Sequence, residues 1–243
     1  MASYTPTVSI DDPRTSTGGN GALPPDWGGD ADNFGSSFFD VRLRRARLGL
    51  VVGLTGIAMI FISFTSAYVV RQGLPTLDPR TNALLHDWFP VPLPRLLLLN
   101  TGLLLISSLT MELARRQAVR KTQAHLASVP GVSADVKEEI SWLALTVVLG
   151  LSFLTGQWMA WRELAANGFY VSSSPSSSFV YLLTGMHGVH LFGGVVALLS
   201  AGFASLLRRS ADSQSILVDV TGWYWHFMAV LWVYILCLLE FVH

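Results

Sequence analysis

Long apolar stretches alternate with short polar segments along most of this chain. The run between Arg47 and Arg71 carries no charge and exceeds the roughly 20 mostly apolar residues that cross a bilayer as a helix. Four later stretches share this character. The predicted spans are residues 48–70, 95–113, 140–161, 179–207 and 220–241. The sequence therefore predicts an all-α membrane protein, a bundle of five transmembrane helices.

Proline and serine mark two of the breaks between spans. Pro90, Pro92 and Pro94 separate the first span from the second. The segment 172–178 has turn composition around Pro175, so the fourth span is predicted to begin only at Phe179.

Basic residues predict the orientation of the bundle. Lys and Arg accumulate in short cytoplasmic flanks and loops. One side carries Arg42, Arg44, Arg45, Arg47, Arg115, Arg116, Arg120, Lys121, Lys137, Arg208 and Arg209. The opposite side carries Arg71, Arg80, Arg95 and Arg162. The bias predicts an N-terminus inside and a C-terminus outside, as an odd number of spans requires.

Residues 1–40 differ from the rest of the chain. They are rich in Gly, Pro, Ser and Asp and show no apolar periodicity, which predicts a mobile cytosolic arm ahead of a membrane domain over 41–243. Their aspartates do not suit a mitochondrial transit peptide. The first span is expected to act as its own insertion signal.

Composition narrows the class of protein. The chain has 243 residues, 51% hydrophobic and 13% charged, whereas soluble domains carry about 25% charged residues. Sixteen basic residues balance sixteen acidic ones, so charge gives no reason to expect a nucleic-acid partner. The single cysteine, Cys237, excludes an intrachain disulfide and a cysteine metal cluster.

Three histidines in the last two spans are the candidate ligands for a metal or haem. His187 and His190 share one helix face, and His226 on span five could add a third nitrogen. A metal site normally gathers carboxylates as well. Three acids lie near the membrane, each at the end of a span: Glu112, Glu163 and Glu240. Hydrogen bonds to neighbouring helices are therefore the favoured role, with no metal and no catalytic residue in this chain.

Glycine and tryptophan support a packing role. Gly185, Gly188, Gly193 and Gly194 would let a neighbouring backbone approach the histidines of span four. Trp142, Trp223 and Trp225 at inner span ends, with Trp158 and Trp161 at an outer end, indicate an aromatic belt. The predicted lipid contacts are Trp142, Trp158, Trp161 and Arg208. A proton relay would need ionisable groups through the membrane, which the spans lack, so an ion-coupled transporter is disfavoured.

Four segments resemble subunit III of the haem–copper oxidases. They are Thr184-Gly-Met-His-Gly-Val-His190, Trp223-Tyr-Trp-His-Phe227, Leu99-Asn-Thr101 and the stretch 153–161 around Gln157. The resemblance extends from Arg47 to the C-terminus. The family-motif residues expected to pack helices together are Gly185, His187, Gly188, His190, Trp223, Tyr224, Trp225, His226, Gln157 and Asn100.

The resemblance implies a non-catalytic subunit of a proton-pumping cytochrome c oxidase in a bacterial inner membrane. Haem and copper would lie in partner subunits I and II, while this subunit would stabilise subunit I, support proton uptake and hold phospholipid. Two helices of seven-span family members are missing here. Ile57, Ala160 and Ala229 stand where many members carry acids. Roles that depend on those carboxylates are not expected.

Other functions stay open at this stage. A subunit III-like accessory protein of nitric oxide reductase, or the subunit III of a quinol oxidase, would carry the same segments. A haem-binding membrane cytochrome would use His226 with His187 or His190 and would show a haem spectrum on its own. A transporter is the least favoured class.

Overall fold

A computed structural model describes residues 28–77, 84–85, 88, 91–126, 136–206 and 211–241. Five long helices dominate this part of the chain, and each is long and apolar enough to cross a membrane. They are α1 (Gly28–Gly73), α2 (Leu96–Leu126), α3 (Val136–Ala166), α4 (Pro175–Leu206) and α5 (Ala211–Phe241). Two short antiparallel strands, β1 (Thr76–Leu77) and β2 (Leu84–Leu85), pair between α1 and α2. The predicted helical fold with five apolar helices is confirmed.

The helices extend beyond the uncharged stretches that predicted them. Helix α2 runs on to Leu126, past the predicted end at 113, and α5 begins at Ala211 rather than at 220. Polar residues continue a helix readily once it leaves the hydrocarbon, so hydropathy marks the membrane-crossing part only. Helix α1 begins at Gly28, inside the predicted arm. The chain divides into two compact units, Met1–Asp40 and Val41–His243.

The start of α4 differs from the prediction, because the serine- and proline-rich segment is a helix cap. Pro175 is the first helical residue, where its fixed φ and missing N–H cost nothing. The Ser174 hydroxyl accepts the N–H of Ser177 (3.2 Å), and the Ser177 hydroxyl accepts the N–H of Ser174 (3.1 Å). This reciprocal cap satisfies donors that a helix start leaves unpaired.

Helix α3 ends in a left-handed turn at Gly168, whose φ is +85°. The N–H of Phe169 bonds the carbonyl of Leu164 (3.0 Å), and the N–H of Gly168 bonds the carbonyl of Ala165 (3.0 Å). This pair of bonds is the Schellman arrangement, which closes the last turn and needs a residue that tolerates positive φ. The chain then reaches α4 after a short connection.

Helices α2, α3, α4 and α5 form a ring around a common core. Helix α2 packs on α3 and α5, and α4 packs on the same two helices. The largest side chains fully buried in the core include Trp225, Trp232 and Phe153. His187 and Trp225, one from each histidine segment, are fully buried in this part of the molecule.

Helix α1 is different, because 6% of its most apolar stretch is buried, against 33–44% for the other four helices. Its contacts with α4 and α5 are made by side chains. The Phe61 ring lies 5.8 Å from the His190 ring between centroids, and the Tyr234 hydroxyl donates to Thr65 Oγ1 (3.0 Å). Gly49 and Gly53 have open space where a Cβ would be, so within the described structure this pair packs no helix.

Candidate functional site: two polar clusters between the helices

Five ionisable side chains from α1, α2 and α5 form a charged cluster: Arg47, Glu112, Arg115, Asp219 and His226. Asp219 is 4% exposed and lies between two arginines from different helices. Its Oδ2 accepts from Arg47 Nε at 2.9 Å, and its Oδ1 accepts from Arg115 Nη1 at 3.1 Å. A buried carboxylate needs such partners to stay charged.

Arg115 bonds both acids of the charged cluster. Its Nε and Nη2 donate to the two oxygens of Glu112 at 2.8 and 3.0 Å, a bidentate pair, while its remaining nitrogen reaches Asp219. Arg116 adds a further bond to Glu112 at 2.8 Å. Gly222 provides room for this arrangement, since a Cβ there would lie 3.1 Å from Arg115 Cδ. The cluster thus ties α1, α2 and α5 together.

His226 joins the charged cluster to a hydroxyl on α2. A hydrogen bond of 2.6 Å links its Nδ1 to Ser108 Oγ, and its Nε2 lies 3.5 Å from Glu112 Oε2. With a proton on Nε2 toward the carboxylate, Nδ1 is the acceptor of the Ser108 hydroxyl proton. His226 is thus hydrogen-bonded to the neighbouring helix α2, with the ring as the acceptor in this tautomer.

Three other polar side chains, Asn100 on α2, Gln157 on α3 and His187 on α4, are buried in the bundle and are called the neutral cluster here. Their exposed fractions are 0%, 3% and 0%. Both polar atoms of Asn100, Oε1 of Gln157 and both ring nitrogens of His187 have no hydrogen-bond partner among the described residues. For His187 the expected bond to a neighbouring helix is therefore not found in the described structure.

Aromatic rings enclose His187. The Trp232 ring lies 5.0 Å from it and the Phe153 ring 5.9 Å, measured between centroids. Trp232 in turn donates its indole N–H to Thr101 Oγ1 at 3.0 Å. The family-like segment 99–101 of α2 thus meets the histidine segment of α4 through a tryptophan of α5.

His190 occupies a third environment. Its Nδ1 lies 2.8 Å from the carbonyl oxygen of Met186 in its own helix, not a neighbouring one as predicted. Its own carbonyl accepts the hydroxyl of Tyr224 (2.8 Å), which joins α4 to α5. The candidate ligands are therefore in separate surroundings, and the described residues contain no group of three or more His, Cys, Asp or Glu placed to hold a metal.

The glycines near the histidines pack differently from the prediction. Gly188 and Gly193 have open space where a Cβ would be, and Gly185 meets only the Trp161 ring, at 3.7 Å. Gly194 lies against side chains, with Tyr224 at 3.0 Å and Trp225 at 3.2 Å from the position of a Cβ. Large aromatic side chains, rather than a neighbouring backbone, fill the space that glycine leaves.

The tryptophans divide between surface and core. Trp158 and Trp223 are exposed, as a belt requires, and Trp142 is partly buried. The belt assignment of Trp225 is wrong, because this residue is fully buried and donates to Ser107 Oγ at 3.1 Å. Trp161 donates to Thr184 Oγ1 at 3.0 Å. Arg208 lies outside the described residues.

Asp219 is the polar residue that the sequence reasoning missed. It stood before the predicted start of span five and so was not counted among the acids near the membrane. The signal was present, because Asp219, Arg47 and Arg115 all flank spans on the same predicted side. A carboxylate facing two such arginines is a natural ion-pair partner.

The family model and the relatives that match this chain carry the same description. A family model described as "Cytochrome c oxidase subunit III" matches residues 33–242. A probable cytochrome c oxidase subunit 3 of Mycobacterium leprae is 26% identical over 197 residues, 80% of this chain and 87% of that protein. The cytochrome c oxidase subunit 3 of Danio rerio is 29% identical over 194 residues, 78% of this chain and 66% of that protein.

A third relative matches over a shorter region. A probable cytochrome c oxidase subunit 3 of Mycobacterium bovis is 31% identical over 101 residues, 42% of this chain and half of that protein. The family model covers most of the chain, including both polar clusters and both histidine segments. The chain therefore belongs to the cytochrome c oxidase subunit III family.

Proposed function

We propose that this chain is the subunit III of a proton-pumping cytochrome c oxidase complex and carries no redox centre of its own. The observation behind this proposal is the separation of the three intramembrane histidines. His226 contacts Ser108 and Glu112, His190 contacts a carbonyl of its own helix, and His187 lies among aromatic rings. Family membership then supplies the partners, subunits I and II, which would hold the haem and copper.

Native separation after gentle detergent extraction tests membership of the complex. The chain is expected to migrate with a haem-bearing subunit I and to show no Soret band when purified alone. Migration apart from every haem-bearing band would refute the assignment. A Soret band from the isolated chain that His226→Leu removes would favour a membrane cytochrome instead.

We further propose that the charged cluster lies at the cytosolic surface of a bacterial inner membrane, where protons enter the oxidase. The Lys and Arg bias of the sequence supports this orientation. Cysteine labelling tests it in a Cys237→Ser background, which removes the single native thiol. Ser172→Cys, between α3 and α4, is expected to react with an impermeant maleimide in intact cells. Ser133→Cys is expected to react only after permeabilisation, and the reverse pattern would invert the topology.

The role proposed for this chain in the complex is to stabilise subunit I and sustain proton uptake. The charged cluster supports the stabilising part of this role, because its ion pairs hold α1, α2 and α5 together. The part in proton uptake is what the likeness to the family implies. Oxidase with and without this chain should hold equal haem per subunit I. Turnover of the depleted enzyme should fall more steeply as the pH rises, because protons become scarce. Parallel pH profiles would argue against a role in proton uptake.

A further inference from the structure

We propose that Asn100, Gln157 and His187 bind ordered water inside the helix bundle, at one site shared by α2, α3 and α4. Five of their polar atoms have no hydrogen-bond partner among the described residues. All three side chains are at least 97% buried. Buried polar groups in proteins are almost always bonded, either to protein or to an ordered water. The cluster therefore needs a ligand that both donates and accepts hydrogen bonds.

Residues beside the three side chains connect them through the core of the bundle. The carboxamide of Asn100 lies directly against Gly156, the residue before Gln157. His187 contacts the ring of Phe153, one helical turn before Gln157 on α3. It also contacts Trp232, whose indole N–H bonds Thr101, the neighbour of Asn100 on α2. The three side chains are thus connected through the residues packed beside them.

Neighbouring hydroxyl groups are already engaged. Thr101 Oγ1 donates to the carbonyl of Leu97 (2.8 Å) while it accepts from Trp232. Thr184 Oγ1, one turn before His187, donates to the carbonyl of Val180 (2.6 Å) and accepts from Trp161. Asn100 has little freedom to turn toward another partner, because Gly156 and the surrounding core confine its carboxamide.

Water matches the set of unpaired atoms. A neutral imidazole offers one donor and one acceptor, the Asn100 amide offers both, and Gln157 Oε1 is an acceptor. A buried water typically makes about three hydrogen bonds, so one or two molecules can serve the five atoms. A metal ion suits the site poorly, because the amide nitrogen cannot act as a ligand and no carboxylate belongs to the cluster.

A high-resolution structure of the wild-type protein tests this site. The chain would be purified in lipid nanodiscs, together with any subunits that accompany it, and imaged at a resolution that shows ordered water. Density is expected within hydrogen-bonding distance of at least two of the three side chains. Direct bonds among the side chains, or a site without solvent density, would overturn the proposal. This outcome does not depend on which complex the chain joins.

A pair of variants on α3 provides a second test. Gln157→Met keeps the length of the side chain but removes an acceptor, and it is expected to abolish the water density nearest to α3. Thr155→Val changes an exposed residue of the same helix and is expected to leave the density intact. Equal density at this position in both variants would show that Gln157 does not bind the water. If Gln157→Met does not fold, the wild-type structure alone decides.

Discussion

The charged and neutral clusters show two ways of placing polar groups within one helix bundle. In the charged cluster every ionisable side chain has a partner within 3.5 Å, and most of these partners come from another helix. It lies at one end of the spans, and Arg47 and Arg116 still reach solvent. The neutral cluster is almost fully buried, and its unpaired atoms belong to amides and an imidazole. The two clusters therefore differ in their chemistry, because the first joins charged partners across helices and the second holds polar atoms without a partner among the described residues.

Histidine shows this difference within one residue type. His226 sits beside a carboxylate and a hydroxyl, whereas His187 is surrounded by aromatic side chains. The first environment supplies hydrogen-bond partners to the ring, whereas the second supplies none among the described residues. His226 and His187 thus have different surroundings, although each lies in one of the two histidine segments.

Loss of Asp219, the acid that Arg47 and Arg115 share, is expected to have the largest effect. Asp219→Ala is expected to lower the free energy of unfolding in detergent by about 2 kcal/mol. This is less than the ~3–5 kcal/mol for a fully buried pair, because Arg47 can turn to water and Arg115 keeps Glu112. Denaturant titration of the purified chain measures the loss.

Two further variants control for this effect. Asp219→Glu keeps the charge and should recover at least half of the stability. Adding Arg47→Ala to Asp219→Ala should cost little more, since the bond between these residues is already lost. If Arg47→Ala costs as much in the wild-type protein as it does in the Asp219→Ala background, the ion pair contributes nothing.

The matching test of the neutral cluster introduces a steric overlap with one of its side chains. A Cβ at Gly156 would overlap the carboxamide of Asn100, a side chain that is fully buried. Gly156→Ala is expected to destabilise the chain by about 1.5 kcal/mol, a usual cost of overpacking. Gly102→Ala is the matched control, because nothing lies within 4 Å of its Cβ position. Similar stability of the two variants would mean that Asn100 is not held against Gly156.

The number and type of helices could be read from the sequence, because a spanning helix needs only length and hydrophobicity. The residues at which the helices begin and end could not be read in the same way, because a helix can continue into polar sequence beyond the span. The start of α4 shows the limit most clearly. Its Ser-Pro-Ser-Ser segment has the composition of a loop, yet it forms a cap with Pro175 as the first helical residue.

The polar clusters were only partly predictable. The family motifs include Asn100, Gln157 and His187, but the burial of all three without a partner among the described residues depends on how α2, α3 and α4 pack. Asp219 was missed because it is polar and lies beyond the apolar stretch. Trp225 was misassigned for a related reason, since position along a span does not tell which face of the helix meets the core.

The hydrogen bond between His226 and Ser108 gives a smaller test of the charged cluster. His226→Leu is expected to cost about 1 kcal/mol of unfolding free energy, because one interhelical bond is lost. Ser108→Ala should cost a similar amount, and the double variant should cost clearly less than the sum. Haem per subunit I should stay unchanged in both single variants. A loss of haem in His226→Leu would instead point to a ligand role.

The smallest expected effect concerns the hydrogen bond that Trp232 of α5 donates to Thr101 of α2, beside the neutral cluster. Trp232→Phe removes this donor but also ring volume, so the single variant overstates the bond. A double-mutant cycle with Thr101→Val cancels the change in packing and should give a coupling of about 0.6 kcal/mol, an average value for such bonds in membranes. Denaturant titration of the four proteins measures it. A coupling as large as that between Asp219 and Arg47 would remove the distinction between the two clusters. Uncharged hydrogen bonds beside His187 would then hold the helices together as firmly as ion pairs do.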